Sequence, residues 1–78
     1  MKNFFIILKD MYEDRLYNHQ IQARTKKEAI EGTLDIYEDY LMIDRNTIKI
    51  ISAIQGTIED SKVIKDLQDV YSLFNLHA

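Results

Sequence analysis

Residues 3–9, NFFIILK, contain five successive apolar side chains. In a β-strand, Phe4, Ile6 and Leu8 would lie on one face and Phe5 and Ile7 on the other. A strand that is apolar on both faces is typical of the centre of a sheet, where other elements cover both sides. The sequence therefore predicts that this segment is the central strand of the fold.

The next segments predict a hairpin and a helix. Residues 10–14 are the expected turn, and residues 15–23 alternate in polarity as an outer strand does. Thr25 and Glu28 have the spacing of a capping box, which begins a helix that we expect to extend to residue 41 or 42. The expected apolar face of this helix contains Ala29, Ile30, Thr33, Leu34, Tyr37, Tyr40 and Leu41.

A third strand and a second helix complete the prediction. The strand covers residues 47–54, and its inner face is expected to carry Ile48, Ile50 and Ile54. The second helix begins between residues 57 and 61 and extends to about residue 75. Because a crossover helix places the third strand beside the first, we predict a single α+β domain over residues 1–78. Its order is ββαβα, with a three-stranded antiparallel sheet (order 2-1-3) packed with two helices.

Size and composition limit what the chain can be. A chain of 78 residues buries about 60–65% of its unfolded surface, so we expect one layer of helix on the sheet. The absence of cysteine excludes disulfides and thiol chemistry and favours a reducing, cytoplasmic setting. The apolar run after Met1 is too short for a signal sequence or a membrane span, so no membrane association is expected.

The first predicted helix carries an acidic stripe. Its members recur at helical spacing and share one side of the helix: Glu28, Glu31, Asp35, Glu38 and Asp39. Like charges at this spacing cost about 0.2–0.5 kcal/mol per pair, which suggests that a basic partner balances them. We expect Gly32 on the same acidic side.

Signals for catalysis are weak. Two glycines cannot build a phosphate loop or a nucleophile elbow, and His19 and His77 are the only imidazoles. We interpret His19 as a hydrogen-bonded histidine of the sheet. The acidic pairs Glu13-Asp14, Glu38-Asp39 and Glu59-Asp60 leave open a metal-assisted hydrolase, although a solvated face is the favoured interpretation. The prediction is a protein that is not an enzyme and has no metal or cofactor.

A basic cluster offers an alternative function. Arg24, Lys26 and Lys27 flank the start of the first helix, whose free amides favour anions. They could bind nucleic acid in a small regulator. The formal net charge of −3 and the absence of a stacking signature favour a protein partner instead.

Residues 20–30, QIQARTKKEAI, resemble a pattern of small phage and plasmid proteins, in which a strand ending in Ala precedes a helix that opens Thr-x-x-Glu-Ala. DpnD/PcfM-like proteins of mobile elements are one example, and HicB-type antitoxins, which carry an aromatic-Leu pair like Tyr40-Leu41, are a second. The resemblance covers residues 3–42. It implies a phage or mobile-element protein, and anti-CRISPR proteins provide an analogy for an acidic inhibitor.

The sequence therefore predicts a protein-binding module that blocks a host nucleic-acid-handling protein through its acidic stripe, in the host cytoplasm. We expect Tyr12 and Leu76 to be apolar anchors beside the stripe. The partner would be a host or self protein with a basic surface, and whether the chain forms a homodimer stays open. The alternative is a nucleic-acid-binding regulator or antitoxin that uses the basic cluster.

Overall fold

The computed structural model describes residues 1–77, with side chains described as far as Phe74. The strands are β1 (Lys2–Asp10), β2 (Arg15–Ala23) and β3 (Ile48–Gln55), and the helices are α1 (Lys26–Leu41) and α2 (Ser61–His77). A short 3₁₀ helix, Arg45–Thr47, precedes β3. Both outer strands pair antiparallel with β1, in the order β2-β1-β3. The predicted ββαβα fold and sheet order are confirmed.

The two faces of β1 belong to two separate apolar cores. Phe4, Ile6 and Leu8 pack beneath α1, together with its buried residues Ala29 and Tyr37. On the other face, α2 covers Phe5 and Ile7, mainly through Val63. The expectation of one helical layer was therefore wrong: because one central strand contributes to both cores, 78 residues are enough for two.

A bulge in β3 changes which side chains face α1. Ile7 pairs with Ser52 and Leu8 with Ile50, which leaves Ile51 as an extra residue. Side-chain alternation shifts by one position across such a bulge. Ile48 and Ile50 pack in the α1 core as predicted, but Ile54 packs on the α2 side and Ala53 takes its place.

The last turn of α1 departs from the prediction. Tyr37 is the last buried residue of this helix, and Tyr40 and Leu41 are exposed although they were assigned to its apolar face. The sheet therefore covers the helix only as far as Tyr37. Beyond it, the chain turns at Met42 in a left-handed conformation (φ 58°, ψ 30°), and Ile43 packs back against the α1 core.

The prediction that Gly32 lies on the acidic side of α1 was also wrong. A Cβ atom built on this glycine would lie 3.0 Å from Cδ1 of Ile21 on β2. The residue therefore lies toward the sheet edge and not on the acidic side. A larger side chain at this position would press on Ile21, and this close contact explains why a glycine is found here in the helix.

Candidate functional site: the acidic face of α1

The start of α1 contains half of the predicted capping box: Thr25 caps the amide of Glu28, but Glu28 reaches the amide of Arg24 instead of that of Thr25. Oγ1 of Thr25 accepts a hydrogen bond from the amide of Glu28 (3.2 Å), and Oε2 of Glu28 accepts one from the amide of Arg24 (3.3 Å). Glu28 is therefore partly used within the fold. Its charge still lies at the helix N-terminus, where the helix dipole stabilises a carboxylate.

Arg45 is the internal counter-charge of the acidic face, which we define as Glu28, Glu31, Asp35, Glu38 and Asp39. Its guanidinium pairs with Glu31 at 3.2 Å, with Glu38 at 3.7 Å, and with Asp35 through a hydrogen bond. The hydrogen bond with Asp35 is the main reason that the pKa of Arg45 is raised. Three of the five carboxylates whose spacing suggested an external basic partner are therefore already paired with a basic residue of the same chain.

This arrangement neutralises only part of the acidic face. The guanidinium contacts three of the five carboxylates and carries one positive charge, so four of the five formal negative charges remain uncompensated by it. All five acidic residues are exposed. Nε of Arg45 is itself buried and makes no hydrogen bond among the described side chains, and it lies 3.7 Å from Oε1 of Glu38.

The predicted anchors have different outcomes. Tyr12 is 86% exposed in the β1–β2 turn and lines a cleft with Leu41 and Met42, which follow the acidic face along the chain. The structure thus brings Tyr12 to the C-terminal end of α1. Leu76 lies outside the described side chains, so its role as an anchor stays a prediction.

Two of the three predicted basic residues share a cleft. Arg24 and Lys26 line an open cleft of about 470 Å³ together with Lys2 on β1 and the end of β3. Lys27 is exposed but does not line it. Two of the three residues of the alternative nucleic-acid site therefore line one cleft, and Lys2 lines it as well.

His19 lies within the α1 side of the sheet. Its ring meets the Tyr37 ring edge-on at 5.5 Å, and Tyr17 meets the same ring at 5.4 Å. Partial burial lowers the pKa of His19, while burial raises the pKa of Tyr37. The Tyr37 hydroxyl donates to the carbonyl of Asn18 (3.4 Å). These contacts are those of a histidine packed in the sheet. The expected hydrogen bond of its side chain is not found among the described residues, so that part of the interpretation was wrong.

No three histidine or acidic side chains described here converge as a metal site would require. Neither helix, over the residues described, is long and apolar enough to cross a bilayer.

Sequence reasoning missed two residues that shape the site. One is Arg45, whose position after the acidic helix was the available signal. The other is Asp10, which is buried and accepts hydrogen bonds from the amides of Tyr12 (2.9 Å) and Glu13 (3.4 Å). Such an Asx turn fixes the backbone that presents Tyr12.

Comparisons with protein-family models, with curated proteins and with solved structures give no match. The resemblance to DpnD/PcfM-like and HicB-type proteins therefore stays a prediction.

Proposed function

We propose that this protein is a small protein-binding module whose acidic face attracts and occupies a basic surface of a partner protein. In the more specific form of the proposal, it is a phage or mobile-element inhibitor that blocks a host nucleic-acid-handling protein, as anti-CRISPR proteins do. The mechanism is steric and electrostatic and involves no chemistry on a substrate.

The observation that carries this proposal is the excess charge of the acidic face. Arg45 holds Glu31, Asp35 and Glu38 at one place on α1, and the face keeps its net negative charge. A cationic surface that normally binds phosphates would be steered toward such an array and would associate faster at low salt.

The test compares two variants that break the same ion pairs and change the charge in opposite directions. The neutralised variant carries Glu31→Gln, Asp35→Asn and Glu38→Gln. The matched control carries Arg45→Gln, which removes the guanidinium and leaves all five carboxylates. Circular dichroism and thermal unfolding confirm that both variants fold.

Each protein is used as bait in nuclease-treated bacterial lysate, eluted over a salt gradient and analysed by mass spectrometry. We expect wild type and the Arg45→Gln variant to capture the same basic protein and the neutralised variant to lose it. Equal capture by all three baits would refute the acidic face as the binding surface. Loss in both variants would show that the ion pairs matter through local structure and would also contradict the proposal.

A second candidate function is supported by the basic cleft at the start of α1. Lys2, Arg24 and Lys26 line this cleft near the N-terminus of α1, and cations beside free helix amides suit a nucleic-acid phosphate. This function would belong to a small regulator or antitoxin. It predicts salt-dependent retention of DNA or RNA that is abolished when Arg24, Lys26 and Lys27 are changed to Ala, with the neutralised variant unaffected.

A further inference from the structure

An exposed apolar surface lies where the β1–β2 turn meets the end of α1. We call it the tip surface and define it by Tyr12, Leu41 and Met42, which line one cleft of about 330 Å³. Their exposed fractions are 86%, 52% and 83%. Met11 and Tyr40, their neighbours in sequence, are also exposed. Aromatic residues and Met are enriched at protein interfaces, while isolated exposed apolar residues need no explanation.

Two separate sets of hydrogen bonds hold the backbone of the tip surface. The carboxylate of Asp10 accepts hydrogen bonds from the turn, and the amide of Met11 donates to the carbonyl of Thr47 (2.8 Å). On the other side, the amides of Met42 and Ile43 both donate to the carbonyl of Tyr37. The exposed side chains of the tip surface therefore belong to residues whose backbone is held by hydrogen bonds.

Met42 is an unexpected residue for its conformation. It ends α1 with φ 58°, a left-handed conformation in which glycine is usual because it has no Cβ. A glycine would relieve this strain, and a methionine with an exposed side chain adds little packing in return. This combination is expected where an exposed side chain serves binding.

Charge around the cleft indicates what it binds. Within the described side chains, the lining contains the carboxylates of Asp10, Glu13 and Asp44 and no Lys or Arg. Arg45 follows Asp44 in sequence, but its guanidinium is engaged by the acidic face. Arg15 lies near Asp10 and Glu13, and the Asp10 carboxylate is buried and bonded to the turn, so Glu13 and Asp44 are the exposed charges of the lining. Exposed apolar side chains beside these two carboxylates are complementary to an apolar side chain flanked by cations.

We propose that the tip surface is a docking site for a segment of a partner protein that inserts an apolar or aromatic side chain flanked by Lys or Arg. This inference rests on the proposed protein-binding function and adds the anchoring contact and its chemistry. The acidic face supplies attraction over distance, and the tip surface supplies the apolar contact that slows dissociation.

The test uses three short synthetic peptides as probes: one alternates Lys and Phe, one alternates Lys and Ser, and one alternates Glu and Phe. Each is titrated into ¹⁵N-labelled protein, and the perturbed amide signals are mapped by NMR. We expect the Lys/Phe peptide to perturb residues 10–13 and 41–44 and to bind at least about tenfold more tightly than the other two.

The decisive variant combines Tyr12→Ser and Met42→Ser, two changes at exposed positions that should leave the fold intact. It should weaken the Lys/Phe peptide by about tenfold or more, while Leu73→Ser, an exposed apolar change on α2, should have no effect. Equal binding of the Lys/Ser peptide, no binding, or perturbations centred on α2 would overturn the inference.

Three further outcomes have different consequences for this inference and for the proposed function. If the peptide maps to the acidic face alone, the tip surface is refuted and the proposed function survives. If tip signals change with protein concentration without peptide, and sedimentation shows a dimer, a second copy covers the tip and the inference fails. If the tip binds the peptide but neutralised bait still captures its partner, the acidic face is refuted and the tip remains.

Discussion

Replacing Met42 by Gly should stabilise the protein and weaken docking at the tip surface. Met42 adopts φ 58° and ψ 30°, which costs an L-residue about 1–2 kcal/mol because its Cβ approaches the backbone. Glycine avoids this penalty but loses about 0.5–1 kcal/mol through its greater freedom in the unfolded chain. The Met42 side chain is 83% exposed, so its removal sacrifices little burial.

The expected net gain is about 0.5–1 kcal/mol, which for a domain of this size raises Tm by about 2–8 °C. Urea unfolding followed by circular dichroism gives the free energy, and calorimetry gives Tm. Met42→Ala is the matched control, because it removes the same side chain atoms beyond Cβ and keeps the strained Cβ.

The control should be no more stable than wild type, and both variants should lose affinity for the Lys/Phe peptide. If Met42→Gly is no more stable than Met42→Ala, the backbone at this position is not strained and the argument for a binding role of Met42 loses its basis.

Three further predictions concern the fold. Gly56 has φ 146°, and a Cβ there would lie 2.6 Å from Oδ2 of Asp60 and 3.0 Å from Cγ2 of Val63, so Gly56→Ala should cost about 1–3 kcal/mol in urea unfolding. Gly32→Ala, which meets only the end of Ile21, should change stability by less, and equal losses would contradict this reasoning. Ile7 is fully buried in the α2 core, so Ile7→Ala should lower the free energy of unfolding by about 2–5 kcal/mol. Ile51 is partly exposed, so Ile51→Ala should lower it by less than about 1 kcal/mol. Equal losses of stability would mean that α2 does not cover this face. Burial lowers the pKa of His19, so the unfolded chain binds that proton more strongly and stability should fall as pH drops below the unfolded value of about 6.5. Calorimetry should show that Tm falls less between about pH 8 and about pH 5.5 in the His19→Gln variant than in wild type. Identical dependence of Tm on pH in the two proteins would refute this role of His19.

The features that local sequence predicts well are those that local chemistry determines. The double-sided apolar pattern of residues 4–8 follows from the central position of β1, and the capping box of Thr25 and Glu28 needs only a few neighbouring residues. Strand order then follows from the connections.

The features that were missed depend on contacts between distant segments. The bulge at Ile51 arises from pairing with β1, so the face of Ile54 could not be obtained from the alternation of β3 alone. Tyr40 has the spacing of a buried residue, but the sheet does not extend beneath it. A periodic pattern gives the side of a helix and not the length of the surface that covers it.

In the candidate site, too, local sequence predicted some features and contacts between distant segments determined the others. The helical spacing predicted that Glu31, Asp35 and Glu38 share one side of α1, and their common contact with Arg45 agrees with it. Arg45 itself reaches them from a segment beyond the helix, through the 3₁₀ helix that positions it. A long side chain from a connection leaves no periodic signal. Its discovery changes the interpretation of the acidic stripe from five free charges to a partly paired array.

The most direct measurement of the central claim is the association rate of the captured partner with wild type and with the Arg45→Gln variant at low and high salt. Electrostatic steering by the acidic face predicts a faster rate for Arg45→Gln at low salt, because one compensating positive charge is gone, and similar rates at high salt. A slower rate at low salt, close to that of the neutralised variant, would show that net negative charge does not drive binding and would contradict the account.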